Sequence, residues 1–93
     1  MDTHKSTRRQ VPDALSDLQN RKVIVGAKQL KKALLSGIAR RVFLAENADP
    51  ALTQPIEAMC LEKQISCIWV PSMADLGYAC GIDVGAAAAA VTE

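Results

Sequence analysis

Three cysteines and one histidine are the residues of this sequence best able to do covalent or coordination chemistry. Cys60, Cys67 and Cys80 are an odd number, lie in apolar surroundings and have no CxxC spacing. A cysteine nucleophile needs a base or a cation beside it to lower its thiol pKa. No cysteine adjoins the basic cluster in sequence, and the sole histidine, His4, sits far away in a polar opening segment. They read as reduced core residues, since free cysteine behaves mainly as a small hydrophobe. No catalytic residue, metal site or cofactor is expected, and the chain is read as a non-enzyme.

The cations are a different matter. Residues 21–41 carry Arg21, Lys22, Lys28, Lys31, Lys32, Arg40 and Arg41 and no acid, whereas residues 42–93 carry seven acids and Lys63 alone. The net charge of +1 therefore hides a strong polarity along the chain. A one-sign cluster in a nearly neutral protein creates a local field suited to a polyanion. Within the run, Gly26, Ala27 and Lys28 fall where a helix should begin, and a helix N-terminus offers unpaired backbone N–H groups and a partial positive charge. Lys28 can donate to guanine O6 or N7, and Gln29 can use its amide and carbonyl on a base edge. Lys32 lies one turn beyond Lys28 on the same face, within reach of a base or a phosphate. Lys31 and Arg41 broaden the basic surface.

These residues must be held by a single small domain, because 93 residues at 49% apolar content make one core and not two. Residues 1–10 hold one apolar side chain and are expected to form a flexible arm, leaving residues 11–93 as the domain. A short helix should open behind Pro12 and end near Asn20. Val23-Ile24-Val25 predicts a strand buried on both faces, and 27–36 a helix closed by Gly37. Val42 to Ala45 predicts a second buried strand, followed by the turn Glu46 to Pro50. Pro55 is awkward inside a helix, so the next regular helix is expected from Gln54. Ile65 to Val70 predicts a third strand, and Ser72-Met73-Ala74-Asp75 has the pattern of a capped helix start. The alternation calls for a mixed or parallel sheet with helices on both faces; a final strand through the alanines 86–90 would complete it, although by propensity alone this run is also the strongest helix former in the sequence. The longest apolar stretch, Val84 to Val91, is far too short to cross a bilayer, so a soluble cytoplasmic protein with no membrane contact is expected.

The segment Gly26-Ala27-Lys28-Gln29-Leu30-Lys31-Lys32-Ala33 resembles the kink-turn recognition motif of the L7Ae/L30e ribosomal protein family. Downstream, Ala45-Glu46-Asn47-Ala48-Asp49-Pro50 is similar to that family's A-E-D-x-D-P turn, and Leu76 to Val84 to its L-G-x-A-x-G-I-x-V segment. The three motifs occur in order, and the chain most resembles the small bacterial members. The resemblance implies an α/β fold, a three-layer α/β/α sandwich around a four-stranded mixed sheet. It implies binding of kink-turn RNA, in a ribosomal or ribosome-associated particle, through the start of the helix after the first strand and the loop before the last strand. Where the family often has G-x-N-E-x-x-K, Lys28 and Gln29 stand at the Asn and Glu positions and Lys32 at the Lys. Met73 stands where lysine is common.

A kink-turn exposes guanine edges and crowds phosphates together, so its recognition combines shape with a few base contacts. Ile82 and Val84 could cover an unstacked nucleotide while backbone around Asp83 bonds its edges; the plainer alternative is that both apolar residues seal the core. Phe43 and Trp69 sit in core patterns, with Tyr78 alone expected at the surface, which argues against stacking-based single-strand binding. The competing reading is a protein-interaction scaffold of the same fold that has lost RNA recognition. A monomer is expected, since no heptad seam is present.

Overall fold

The computed structural model describes Leu18 and residues 22–92. The expected arm, residues 1–10, lies outside the described residues, as does most of the expected opening helix; Leu18 itself is helical and buried. The elements run β1 (Val23–Val25), α1 (Ala27–Ser36), β2 (Arg41–Ala45), α2 (Pro50–Lys63), β3 (Ser66–Val70), α3 (Met73–Ala79) and β4 (Ala88–Val91).

The four strands form one mixed sheet in the order β1-β4-β2-β3, with β4 antiparallel to both β1 and β2, and β2 parallel to β3. Side chains alternate across a strand, and the inner strands divide accordingly. Val42, Leu44, Ala88 and Ala90 join Leu30 and Leu34 of α1 and Ile56 and Cys60 of α2 on one face. Phe43, Ala45, Ala89 and Val91 join Leu18 and Leu76 and Ala79 of α3 on the other. This is the expected α/β/α sandwich. The alanine run is a strand because it lies at the centre of the sheet with helices against both faces. All four residues of β4 are buried there, and methyl side chains let the layers approach.

Several expectations need correction. β1 is half-buried rather than buried on both faces, because the sheet order makes it an edge strand. Trp69 is 38% exposed, not a core residue, since β3 is the other edge; Phe43 is fully buried as expected. The second helix begins at Pro50, not Gln54: Asp49 Oδ1 accepts from Ala51 N–H at 2.9 Å, and Pro50 occupies the first turn, where no N–H is needed. Pro55 is accommodated within this helix, where Pro55 and Ala51, the residue whose carbonyl loses its partner, are both exposed to water.

The topology decides what meets at the ends of the sheet. Because β4 runs against the other three strands, its start lies with the C-terminal ends of β1, β2 and β3. The junction is stitched by Gly26 N–H to Ala88 O at 2.9 Å, Ala45 N–H to Ala87 O at 3.0 Å and Glu46 N–H to Val70 O at 2.8 Å.

Candidate nucleic-acid interface

At this sheet edge the start of α1, the turn after β2, the start of α3 and the loop entering β4 come together. Gly26 takes φ +105°, ψ 140°, a backbone region that side chains with a Cβ rarely enter, so the sharp exit from β1 requires glycine there. No side chain caps α1, so Ala27, Lys28 and Gln29 open a helix whose first N–H groups have no side-chain acceptor from the cap residue. Leu30, Ala33 and Leu34 point into the core, which turns Lys28, Gln29 and Lys32 outward as exposed residues; Lys31 is half-buried. Gly37, at φ +78°, ends the helix with its N–H on Leu34 O at 3.2 Å.

The second surface is built by α3. Ser72 Oγ accepts from Asp75 N–H at 3.1 Å, the expected cap, and the N–H of Met73 donates to Asn47 Oδ1 in the turn after β2 at 2.8 Å. The loop from Gly81 to Ala87 folds back over this helix. Ile82 N–H bonds Gly77 O at 3.1 Å and Ala86 N–H bonds Met73 O at 3.0 Å. Gly77 lies so close to the carbonyl oxygen of Val84 that a Cβ has no room, and a Cβ on Gly85 would come within 3.0 Å of Met73 Cβ. Between helix and loop lies a recess of about 310 Å³ lined by Ala74, Tyr78, Ile82, Asp83, Val84 and Gly85. Ile82 is half-buried against the core, whereas Val84 is 70% exposed. The two apolar loop residues thus have separate roles: Ile82 seals the core and Val84 faces outward with exposed Asp83.

Of the residues expected to form a site, Gly26, Ala27, Lys28, Gln29, Lys31 and Lys32 lie on or beside the first turns of α1. Glu46 is exposed in the turn after β2, and Ile82, Asp83 and Val84 form the loop. The structure does not bring Arg41 to them. Arg41 begins β2 and pairs with Val91 and Ser66 at the far end of the sheet, near Arg40, whose N–H bonds Val91 O at 2.8 Å. The basic run, continuous in sequence, is split between two edges. Sequence reasoning missed Asn47, Gly77 and Gly85 as builders of the second surface. Counting donors could have flagged the first: Ser72 caps one N–H of α3, and Met73's needs a partner from elsewhere.

Of the three cysteines expected in the core, only Cys60 lies fully there, and Cys67 and Cys80 are half-buried. Burial pushes all three thiols up, Cys67 to about 12, where the adjoining Cys60 adds to the effect. Among the described residues no group of three or more potential ligands could hold a metal ion, and no helix is long and apolar enough to cross a membrane.

Comparison with known proteins agrees with this architecture. An RNA-binding protein of Bacillus pumilus is 44% identical over 79 residues, which cover 85% of this chain and 94% of that protein. The RNA-binding protein BH0128 of Halalkalibacterium halodurans is 45% identical over 71 residues, 76% of this chain and 87% of the relative. Among solved structures, the 15.5kD RNA binding protein of Giardia lamblia superposes with a TM-score of 0.77 at 22% identity, over 100% of this chain and 84% of that one, a likeness of fold. The model of the ribosomal protein L7Ae/L30e/S12e/Gadd45 family matches residues 9–93, and with relatives of this identity and coverage the chain belongs to that family.

Proposed function

We propose that this protein binds RNA and recognises the kink-turn, using the start of α1 for the sheared guanine edges and the Ile82–Val84 loop for the unstacked nucleotide. The observation that carries the reading is the meeting of these two surfaces at one sheet edge, tied by the Gly26–Ala88 hydrogen bond. RNA binding is also what the names of the Bacillus pumilus and Halalkalibacterium relatives state of those proteins. Lys28 and Gln29 stand exposed on the first turn of a helix whose dipole favours negative charge and guanine acceptors. Lys32 lies one turn on, suited to a phosphate or a second base. Glu46, exposed beside the loop, offers an acceptor for base or ribose donors.

Exposed Val84 gives the bulged base an apolar surface, and a preformed loop lowers the cost of ordering on binding. The protein acts as a monomer in the cytoplasm, with ribosomal or ribosome-associated RNA as its partner. A gel shift decides the central claim. Kink-turn RNA should bind well, and the same RNA with its sheared G·A pairs replaced by Watson–Crick pairs should bind as weakly as plain duplex. Equal binding to both RNAs would leave only a general phosphate-binding surface, and no binding to either would favour a protein-interaction scaffold.

A further inference from the structure

Met73 bridges two of the segments at the recognition edge. Its N–H donates to Asn47 Oδ1 at 2.8 Å, and its carbonyl accepts from Ala86 N–H at 3.0 Å. Its Cβ closes on Gly85. One link from the turn after β2 to the loop before β4 thus runs through Met73, at the start of α3. Downstream of Ala86 the sheet itself fixes the chain, through Ala87 O and Ala88 O. Upstream, Gly77 holds Ile82 and Val84. Asn47 acts at the point between.

We infer that Asn47 is a positioning residue for RNA recognition, which holds Met73 and through it sets the place of the Ile82–Val84 loop relative to the start of α1. Its side chain acts through Met73, at the start of α3, and so determines how the two surfaces stand to each other. The alternative is a helix cap with no bearing on recognition, because an acceptor from Asn47 also satisfies an orphan N–H of α3. The inference rests on the kink-turn reading for its RNA consequence, and on the hydrogen-bond geometry alone for its effect on the loop.

Two measurements on the full chain test it. The first compares backbone amide exchange in the parent, Asn47→Ala and Asn47→Asp. Asn47→Ala should speed exchange at Met73 and Ala86 while the amides of β2 and β4 keep their protection. Asn47→Asp, which retains an acceptor oxygen, should restore it. The second compares binding to kink-turn RNA with its bulged nucleotide intact and with an abasic residue there. Asn47→Ala should weaken binding to the intact RNA by roughly threefold to tenfold, the scale of one exposed hydrogen bond. It should leave binding to the abasic RNA nearly unchanged. Unaltered exchange at Ala86, or an equal loss on both RNAs, would overturn the inference. A parent that fails to prefer kink-turn RNA over its Watson–Crick control would overturn the functional reading instead, and the exchange data would still decide whether Asn47 holds the loop.

Discussion

Gln29 is uncharged and exposed on the first turn of α1, so replacing it by alanine removes no Coulomb attraction and should cost little stability, alanine being the better helix former. If it reads a guanine edge, Gln29→Ala should weaken kink-turn binding by about 1–3 kcal/mol. Binding to duplex RNA and the salt dependence should stay as in the parent, and titrations against both RNAs at several salt concentrations check this. An unchanged kink-turn affinity would rule out base readout at this position. The cysteines carry the opposite expectation. Burial first, then Cys60, raises the thiol of Cys67 from 9.0 to about 12, so at pH 8 it is ionised to roughly one part in ten thousand. Its alkylation in the folded protein should be slow at pH 8 and accelerate as pH climbs toward 12; rapid native labelling at pH 8 would contradict this. The sign for stability follows: a folded pKa above the unfolded one contributes stability that is fully present below pH 9 and lost as pH rises through about 12. The exposed placement of Lys28 and Gln29 on the first turn of α1 was legible because it depends on signals local in sequence. Asn47 was not, since its partner lies 26 residues away and no spacing rule predicts a long-range cap.

Element boundaries followed the local signals wherever a cap or a glycine spoke clearly. The helix expected over 27–36 closes at left-handed Gly37, and Ser72 caps α3 as its spacing predicts. The start of α2 was misjudged because Pro55 looked prohibitive, whereas the Asp49 cap and Pro50 make a helical first turn before Pro55 is reached. Strand burial was misjudged for β1 and β3 because an apolar run does not reveal its place in a sheet; strand order is set by chain crossings, not by composition. Gly77 shows the same contest within one helix. Propensity alone favours Gly77→Ala by about 1 kcal/mol. The new Cβ, however, would run into the backbone oxygen of Val84, which cannot swing aside as a side chain would. Gly77→Ala should therefore destabilise the fold by roughly 1–3 kcal/mol, the usual cost of overpacking. Chemical denaturation with an unchanged m-value should reveal it. A stabilised variant would mean that the loop yields easily and is not preformed.

For the molecule as a whole, the run of cations in residues 21–41 suggested one continuous basic face, and the fold divides it. Lys28 and Lys32 stand near the start of α1, at the edge where the loop enters β4, while Arg41 opens β2 at the other end of the sheet. Arg41 and Ala45 are four steps of extended strand apart, roughly 13 Å at the usual rise. That exceeds the Debye length of about 10 Å at 0.1 M salt, so Arg41 contributes little field at the proposed RNA-binding edge. Affinity for kink-turn RNA should fall linearly with salt on a log–log plot. Lys32→Ala should flatten the slope by close to one unit if Lys32 meets a phosphate, whereas Arg41→Ala should leave slope and affinity at the parent values. The comparison needs only the two variants and the parent over a salt series with one RNA. An equal flattening by both substitutions would show that the RNA reaches along α1 to the far edge of the sheet, and that the basic face is continuous when RNA is bound.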